Sequence, residues 1–505
     1  MTVKQICVIG AGISGLVAAK TFIEEGYDVT VFEKQKGLGG VWEKSRTYPE
    51  LTAQNPRDTY AFSDYPMPAS YPEWPTAEQM WNYLQSYAHH FGVTERICFG
   101  AEVTKVSRRT GGQLGWVISV SYQDNNQRRI REEKHEFDFV LVCNGVFNIP
   151  KIPSLPGQEE FIASGGRVLH STEFNDASVI KGKHVIVVGF GKSATDIANF
   201  AATQALECTL VFRNLLWKVP RFFLSLVNVK YILLTRFAEA WLPYRQLQGL
   251  ERVLHTVGKP LVWAFWRTNE TLIRLQFGLD ANRMLPDIPL NKFVGCTANV
   301  AAEGFYKHVR SGKIRAKKTS IARFVTDGVE LANGERLQAN VVIFGTGFRQ
   351  DISFLEENDR RLVIDHQGNF HLYRHLIHPD IPQMGFVGYN SSLFCQLTSE
   401  IGAWWLVEYF KGNLVLPSAL EMHKEIEAEF DWVKTEGHFI QFNGTCIAPF
   451  AFRHLEQLLQ DMGVNNHHSS WNRIAQMMMP VDPSVYKKLR QELRAKRRPS
   501  VNNSH

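Results

Sequence analysis

The chain has 505 residues, too many for one small core, and a length of this order predicts roughly two to four domains. Hydrophobic residues make up 44% and charged residues 21%, an ordinary soluble globular balance, while a net charge of +6 is too small to indicate a nucleic-acid protein. The weak positive balance suits small anionic ligands, of which pyrophosphate cofactors are the simplest.

At the N-terminus, Met1–Lys4 runs straight into the apolar stretch Ile6–Ile9, so no secretory leader is expected. No stretch of about 18 uncharged apolar residues predicts a membrane span. The cysteines Cys7, Cys98, Cys143, Cys208, Cys296, Cys395 and Cys446 are scattered and never in C-x-x-C spacing. They read as idle thiols in a reducing compartment, and the expected location is cytoplasmic.

Gln5–Ile9 reads as a buried strand, Ser14–Glu25 as a helix and Asp28–Glu33 as a second strand, the β-turn-α-β order of a parallel, doubly wound sheet. Tyr48–Trp74 is rich in Pro and aromatics and reads as irregular, cofactor-covering loop. Ala77–Phe91 returns to a helical period. Val103–Gln123 and Phe137–Cys143 read as strands, with a turn at Asn125-Asn126. A second β-turn-α-β unit follows in His184–Val188, Ser193–Ala202 and Thr209–Arg213. Phe222 to about Leu279 is mostly helical and reads as an insertion. Gly328–Leu331, the turn Asn333-Gly334 and Asn340–Phe344 predict a hairpin followed by a strand. The end, Lys487–Arg498, reads as a basic, solvated helix and tail. The tandem histidines His89-His90 and His467-His468 lack the companion ligands of a metal site.

Two glycine-rich fingerprints open the helices of the two units. Gly10-Ala11-Gly12-Ile13-Ser14-Gly15 places a glycine at the tight turn, at the approach to a pyrophosphate and at the helix–strand contact. The anion then meets the free N–H groups of the helix N-terminus. Glu33 ends the next strand, where a carboxylate accepts from ribose hydroxyls and repels a 2′-phosphate. Gly189-Phe190-Gly191-Lys192-Ser193-Ala194 repeats the pattern, but the matching second-strand position carries Arg213, with Lys218 and Arg221 nearby. A cation there suits the 2′-phosphate of NADPH. Gly191-Lys192-Ser193 is not a P-loop, because Ile186 stands at the first required glycine. One site therefore prefers FAD and the other NADPH, an arrangement suited to passing a hydride between them.

From the N-terminus to about residue 410 the sequence resembles the flavin-containing monooxygenase family of class B flavoprotein monooxygenases. Gly39-Gly40-Val41-Trp42 is similar to the family's G-G-x-W segment, which implies flavin contacts by Gly40 and Trp42. Gln54-Asn55 with Phe62-Ser63-Asp64-Tyr65-Pro66 resembles its T-N…F-S-D-F-P stretch, which implies that Asn55 lies beside flavin and bound NADP. Cys143-Asn144-Gly145, with Pro150 and Pro153, resembles the crossing between the two domains. Gly166, His170 and Phe174 match the later part of the identifying sequence F-x-G-x-x-x-H-x-x-x-[Y/F], with Ser164 where its phenylalanine belongs. That element is expected to position the domains rather than perform chemistry. Phe344-Gly345-Thr346-Gly347-Phe348 resembles the F-A-T-G-Y motif, which implies cofactor contacts at Thr346 and Gly347. Gly388, Gln396 and Glu400 fall in a stretch similar to a second flavin-contacting region.

The fold expected is α/β: two Rossmann-like dinucleotide-binding domains, the second inserted into the first, with a helical insertion. The boundaries predicted are 1–165 and 326–480 for the FAD-binding domain, 166–325 for the NADPH-binding domain with its insertion at about 222–300, and 481–505 for the basic tail. The resemblance implies a monooxygenase, similar to N,N-dimethylaniline monooxygenases, that transfers oxygen through a C4a-hydroperoxyflavin to a nucleophilic nitrogen or sulfur of a small molecule. Asn55 is the candidate catalytic residue, able to donate a hydrogen bond without supplying an acidic proton. A Baeyer–Villiger monooxygenase acting on ketones and a non-catalytic flavin redox sensor are the competing readings. A disulfide reductase would need the C-x-x-C that this sequence lacks. The partners expected are the small-molecule substrate and O2. A homodimer, and a peripheral contact of the insertion with a membrane surface, stay open.

Overall fold

The structure is a computed structural model that describes residues 4–123, 129–293, 299–436, 443–464 and 477–497. The turn predicted at Asn125-Asn126 and the pair His467-His468 lie outside those residues.

Two five-stranded sheets organise the chain. The first runs in the order Met384–Phe386, Phe139–Val142, Gln5–Ile9, Asp28–Glu33, Ile97–Phe99, with every neighbour parallel. Its central strands are continuous apolar runs, as strands covered on both faces must be. Helix Ile13–Glu24 covers one face. Against it packs helix Cys395–Phe410, which buries Leu397, Ile401, Trp404 and Trp405 and is apolar around most of its circumference, the signature of a helix enclosed by protein.

The second sheet runs Ile314–Lys318, Glu207–Phe212, His184–Val188, Val341–Phe344, Arg167–His170, again all parallel. Helix Lys192–Gln204 packs on it. The order shows the second unit inserted into the first, as expected, but it moves the return point. Val341–Phe344 pairs with His184–Val188 and Arg167–His170, and the hairpin Gly328–Leu331/Arg336–Gln338 packs on this sheet's side of the molecule. The chain therefore rejoins the first unit after Arg349, not at residue 326. The hairpin and strand were recognised by type; their sheet depends on long-range pairing that local pattern does not encode.

The two passages between units lie side by side. Ile149–Pro150 pairs antiparallel with Phe348–Arg349, the Lys151 amide donates to the Gly347 carbonyl at 3.0 Å, and the Thr346 hydroxyl donates to the Lys151 carbonyl.

Other departures are local. Val103–Gln123 is two strands, Ala101–Arg108 and Trp116–Gln123, which continue into Arg129–Phe137 as an antiparallel meander. Gly115 lies at the turn within that span. The insertion holds a small hairpin, Phe222–Phe223 with Val227–Asn228, before the helices Lys230–Leu233, Arg236–Glu239, Gly249–Leu254 and Lys259–Phe277. Among the described residues no helix is long and apolar enough to cross a membrane.

The basic end is docked rather than solvated. Helix Ser484–Arg497 buries Tyr486, Leu489, Arg490 and Leu493, and Arg490 reaches Glu25 at 2.7 Å while lying over the ring of Trp404. Its charges are matched by acids at the end of the first helix, with Arg494 pairing Glu24 and Glu25 at 2.8 Å each. Cys7, Cys98, Cys143, Cys208 and Cys395 are free thiols, whereas Cys446 is disulfide-bonded, against its reading as an idle thiol.

Candidate active site between the two dinucleotide units

Each fingerprint forms the turn its sequence demands. At Gly15 a Cβ would stand 1.8 Å from the Gly10 carbonyl oxygen, so only glycine lets the first helix approach its strand. At Gly189, φ is +121° and a Cβ would meet the Gly345 carbonyl oxygen at 2.5 Å. Both helices start without a side-chain cap: their N-cap residues are Gly12 and Gly191. The first-turn N–H groups of each helix are left for a ligand, and an anion such as a pyrophosphate satisfies them.

Glu33 is placed as predicted at the end of the second strand. It is buried, and its two carboxylate oxygens accept from the amides of Ala11 and Gln35 at 2.7 and 2.8 Å. Burial pushes its carboxyl above the ordinary range, against those two bonds and the charges of Lys34 and Arg46. Each oxygen keeps a lone pair for a ribose hydroxyl.

A cavity of about 1200 Å³ opens between the units. Of the predicted residues, Trp42, Asn55, Gly189, Gly191, Lys192, Ser193, Arg213, Thr346 and Gly347 line it. Gly10, Gly12, Ser14, Gly15, Glu33 and Gly40 are gathered together but do not line it. Gly12 and Gly40 lie against each other, and the Ser14 hydroxyl stands 3.0 Å from that of Ser399. The far wall comes from the insertion, through Leu233, Leu242, Phe265, Trp266 and Ile273. Trp266 and Trp241 are buried, and Trp263 alone of the insertion's three tryptophans is mostly exposed.

Asn55 sits at the centre of this arrangement because its loop is anchored on both sides. On the second unit's side, Tyr48 donates to Asp196 at 2.9 Å, Arg221 donates to the Thr52 hydroxyl at 2.7 Å, and Lys230 pairs with Asp58 at 2.7 Å. Toward the first unit, the Ser63 amide and hydroxyl donate to the Glu400 carboxylate at 2.9 and 2.6 Å. Burial and the neighbouring Asp64 carboxylate push Glu400 up to about 7, against the pull of Lys20. Between these anchors Asn55 is only 6% exposed, and its side-chain N–H2 has no partner. Trp42 and Gln396 are directed instead at the Tyr60 hydroxyl, and Gln396 does not line the cavity. An unmade bond of the Asn55 kind costs about 1–3 kcal/mol unless a ligand supplies an acceptor. Uncapped helix starts and this unpartnered donor together fit two dinucleotides, one against each fingerprint.

The three cations proposed near the 2′-phosphate do not share one role. Lys218 is fully buried, held by Asn299 and lying over the Phe190 ring, and burial pulls its amine down to about 7. Arg221 is taken up by Thr52 and stacks over Trp74. Arg213, one residue past the end of Glu207–Phe212, is exposed at the cavity wall and makes no ion pair among the described residues. Lys192 is engaged by Asp196.

His170 is bonded to the passage between the units. Its Nδ1 accepts from the Thr172 amide at 3.3 Å, so Nε2 carries the proton to the Gly347 carbonyl at 3.1 Å. Burial holds its pKa below the ordinary value. Phe174 is buried against Phe200. The departure at Ser164 is absorbed locally. Phe161, one helical turn earlier, packs its ring where a Gly166 side chain would be, and the Ser164 hydroxyl lies 2.6 Å from the Thr326 carbonyl. Tyr48, Arg46 and Tyr60 also line the cavity and were not singled out from sequence, since an irregular loop carries no periodic signal to mark them.

Residues 3–464 match the flavin-binding monooxygenase-like family, and the chain belongs to that family. A probable flavin-containing monooxygenase 1 of Arabidopsis thaliana is 29% identical, the alignment covering 96% of this chain and 97% of the relative. The fold is shared with S-allyl-L-cysteine S-oxygenase from Allium sativum (TM-score 0.60, 20% identity, 99% and 94% of the two chains). It is also shared with OTEMO solved in complex with FAD and NADP (TM-score 0.68, 18% identity, 90% and 97% covered).

Proposed function

We propose that this chain is an NADPH- and O2-dependent flavoprotein monooxygenase that oxygenates a nucleophilic nitrogen or sulfur of a small molecule. The observation that carries the reading is Asn55: a buried amide donor without a partner, held on the wall of the cavity that the second fingerprint also lines. FAD would rest on the helix start at Gly12, with its ribose at Glu33 and its ring toward Trp42 and Asn55. NADPH would rest on the helix start at Gly191, with its 2′-phosphate at Arg213. Together these cofactors supply hydride and activated oxygen.

The chain's own residues bind, orient and exclude water. The Asn55 amide donates a hydrogen bond inside the cavity and, being no acid, hands over no proton that would discharge activated oxygen as peroxide. Glu400 and Asp196 fix the loop that carries it, and fixed donors of this kind act without reorganising. The His170–Gly347 contact keeps Thr346 and Gly347 at the passage between units. Apolar side chains of the insertion keep the substrate end dry, which suits a neutral amine or thioether.

The test is NADPH consumption under O2 with amines, thioethers and ketones, with products identified. The expected result is faster consumption matched one-to-one by N-oxide or S-oxide. Lactones or esters from ketones with no heteroatom product would overturn the proposal. In Asn55→Ala the coupled product should fall by about a hundredfold or more, while NADPH continues to be consumed with peroxide release. Unchanged coupling would remove Asn55 from its assigned role.

A further inference from the structure

Away from the cavity, three ligand-bearing side chains converge on the outer side of the first unit. His378 and Asp380 lie on the segment before strand Met384–Phe386, and His423 lies early in helix Ala419–Glu436. One ligand atom from each stands within 4.8 Å of the other two. The His423 Nε2 is 2.9 Å from an Asp380 carboxylate oxygen, and the two imidazole rings are 5.5 Å apart. We propose that His378, Asp380 and His423 form a binding site for a divalent transition-metal ion of the zinc type.

The donor set decides the class of ion. Two imidazole nitrogens and one carboxylate oxygen suit zinc, cobalt or nickel, whereas calcium and magnesium ask for oxygen ligands. Ligands about 2.0–2.2 Å from a tetrahedral ion stand roughly 3.4 Å apart, so the Asp380–His423 pair at 2.9 Å must open slightly while His378 draws in. An Asp380–His423 pair by itself would account for two of the groups. It leaves unexplained why a buried imidazole is turned to the same point. Asp380 and His423 are open to solvent, which gives the ion access and leaves a fourth position for water.

Two contacts must yield, the first being the His423–Asp380 hydrogen bond, whose atoms turn to the ion. The Asp380 amide donates to His378 Nδ1 at 3.2 Å. A metal on Nδ1 displaces that bond, and a metal on Nε2 moves the ring proton to Nδ1, so the long contact is lost in either case. Elsewhere the same helix is tied by Glu429 to His375 at 3.1 Å, and by Glu425 to Arg374 and to Arg245 of the insertion. An ion at His423 would fasten the start of a helix whose later turns touch the wall of the cavity-forming insertion.

The probe is zinc alone, added to tag-free, flavin-loaded full-length protein after chelator treatment and desalting, with affinity read by competition against a chromophoric chelator. Wild type should take up one equivalent and its unfolding midpoint should rise with zinc. His423→Ala at a half-buried position and Asp380→Asn at an exposed one should keep their flavin, bind at least about tenfold more weakly and lose the midpoint rise. Cobalt in place of zinc should give visible absorption in wild type only. No tight equivalent in wild type, or equal binding by the variants, would overturn the proposal.

Discussion

Replacing Arg213 with alanine tests the division of labour between the two dinucleotide sites. Lys218 is buried against Asn299 and Arg221 is spent on Thr52 and Trp74, so Arg213 is the cation of the three that faces the cavity unpaired. A unit charge pair at about 4 Å is worth about 1 kcal/mol in water and about 4 kcal/mol near a protein surface. Arg213 is exposed, which argues for the lower half of that range, but a 2′-phosphate carries more than one negative charge. A loss of about 2 kcal/mol follows, or roughly a thirtyfold fall in kcat/KM for NADPH. NADH has no 2′-phosphate and should lose less than about twofold on the same accounting. The assay is steady-state kcat/KM with both nucleotides, at low and at about 1 M salt, where a Debye length near 3 Å should shrink the wild-type preference. An equal loss with NADPH and NADH would place Arg213 on a part common to both. No loss with either would show that the phosphate is read elsewhere, and both outcomes would refute the assignment.

The glycines separate folding from binding. A Gly15→Ala side chain would collide with the Gly10 carbonyl and should give little folded protein, whereas at Gly12 the nearest atom is at 3.5 Å and at Gly191 there is none within 4 Å. Gly12→Ala should therefore fold but lose bound flavin, and Gly191→Ala should keep flavin while its KM for NADPH rises; absorbance at the flavin band and circular dichroism read these outcomes. Lys218 has a folded pKa of about 7, lowered by burial, against 10.5 unfolded, so the unfolded state binds the extra proton and stability rises with pH between those values. Lys218→Met should raise the denaturation midpoint at pH 7 by an amount equivalent to several kcal/mol, falling to about 1 kcal/mol at pH 10; a pH-independent difference would contradict the burial of a charge.

The glycine fingerprints, their flanking strands and the strand-end places of Glu33 and Arg213 were legible because each follows from local backbone geometry. What escaped were choices made by distant partners. Nothing in Val341–Phe344 says which sheet it joins, since a buried parallel strand reads the same in both. Arg490 looked solvated among its basic neighbours, and only the acids at Glu24 and Glu25 together with the ring of Trp404 explain its burial. Ser164 looked like a defect in a motif, yet the aromatic cover of Gly166 comes from Phe161, which a fixed spacing could not anticipate.

The same distinction explains why the loop at Tyr48–Trp74 matters more than its irregular sequence suggests. A segment without regular structure has few backbone bonds of its own to hold a side chain in place, so a donor on it is as precise as its anchors. Here those anchors belong to different units: Asp196 and Arg221 to the second, Glu400 to the first. Any change in the relative placement of the two units must then strain the loop and move Asn55. The paired passages at Ile149–Pro150 and Phe348–Arg349, with His170 bonded to Gly347, resist such a change. On the proposed function, a hydride donor on one sheet and an acceptor on the other would need that resistance, because reacting atoms must be held at about 3–3.5 Å. The position of Asn55 is thus a readout of domain alignment, and loosening either anchor should uncouple oxygen use before it abolishes nucleotide binding.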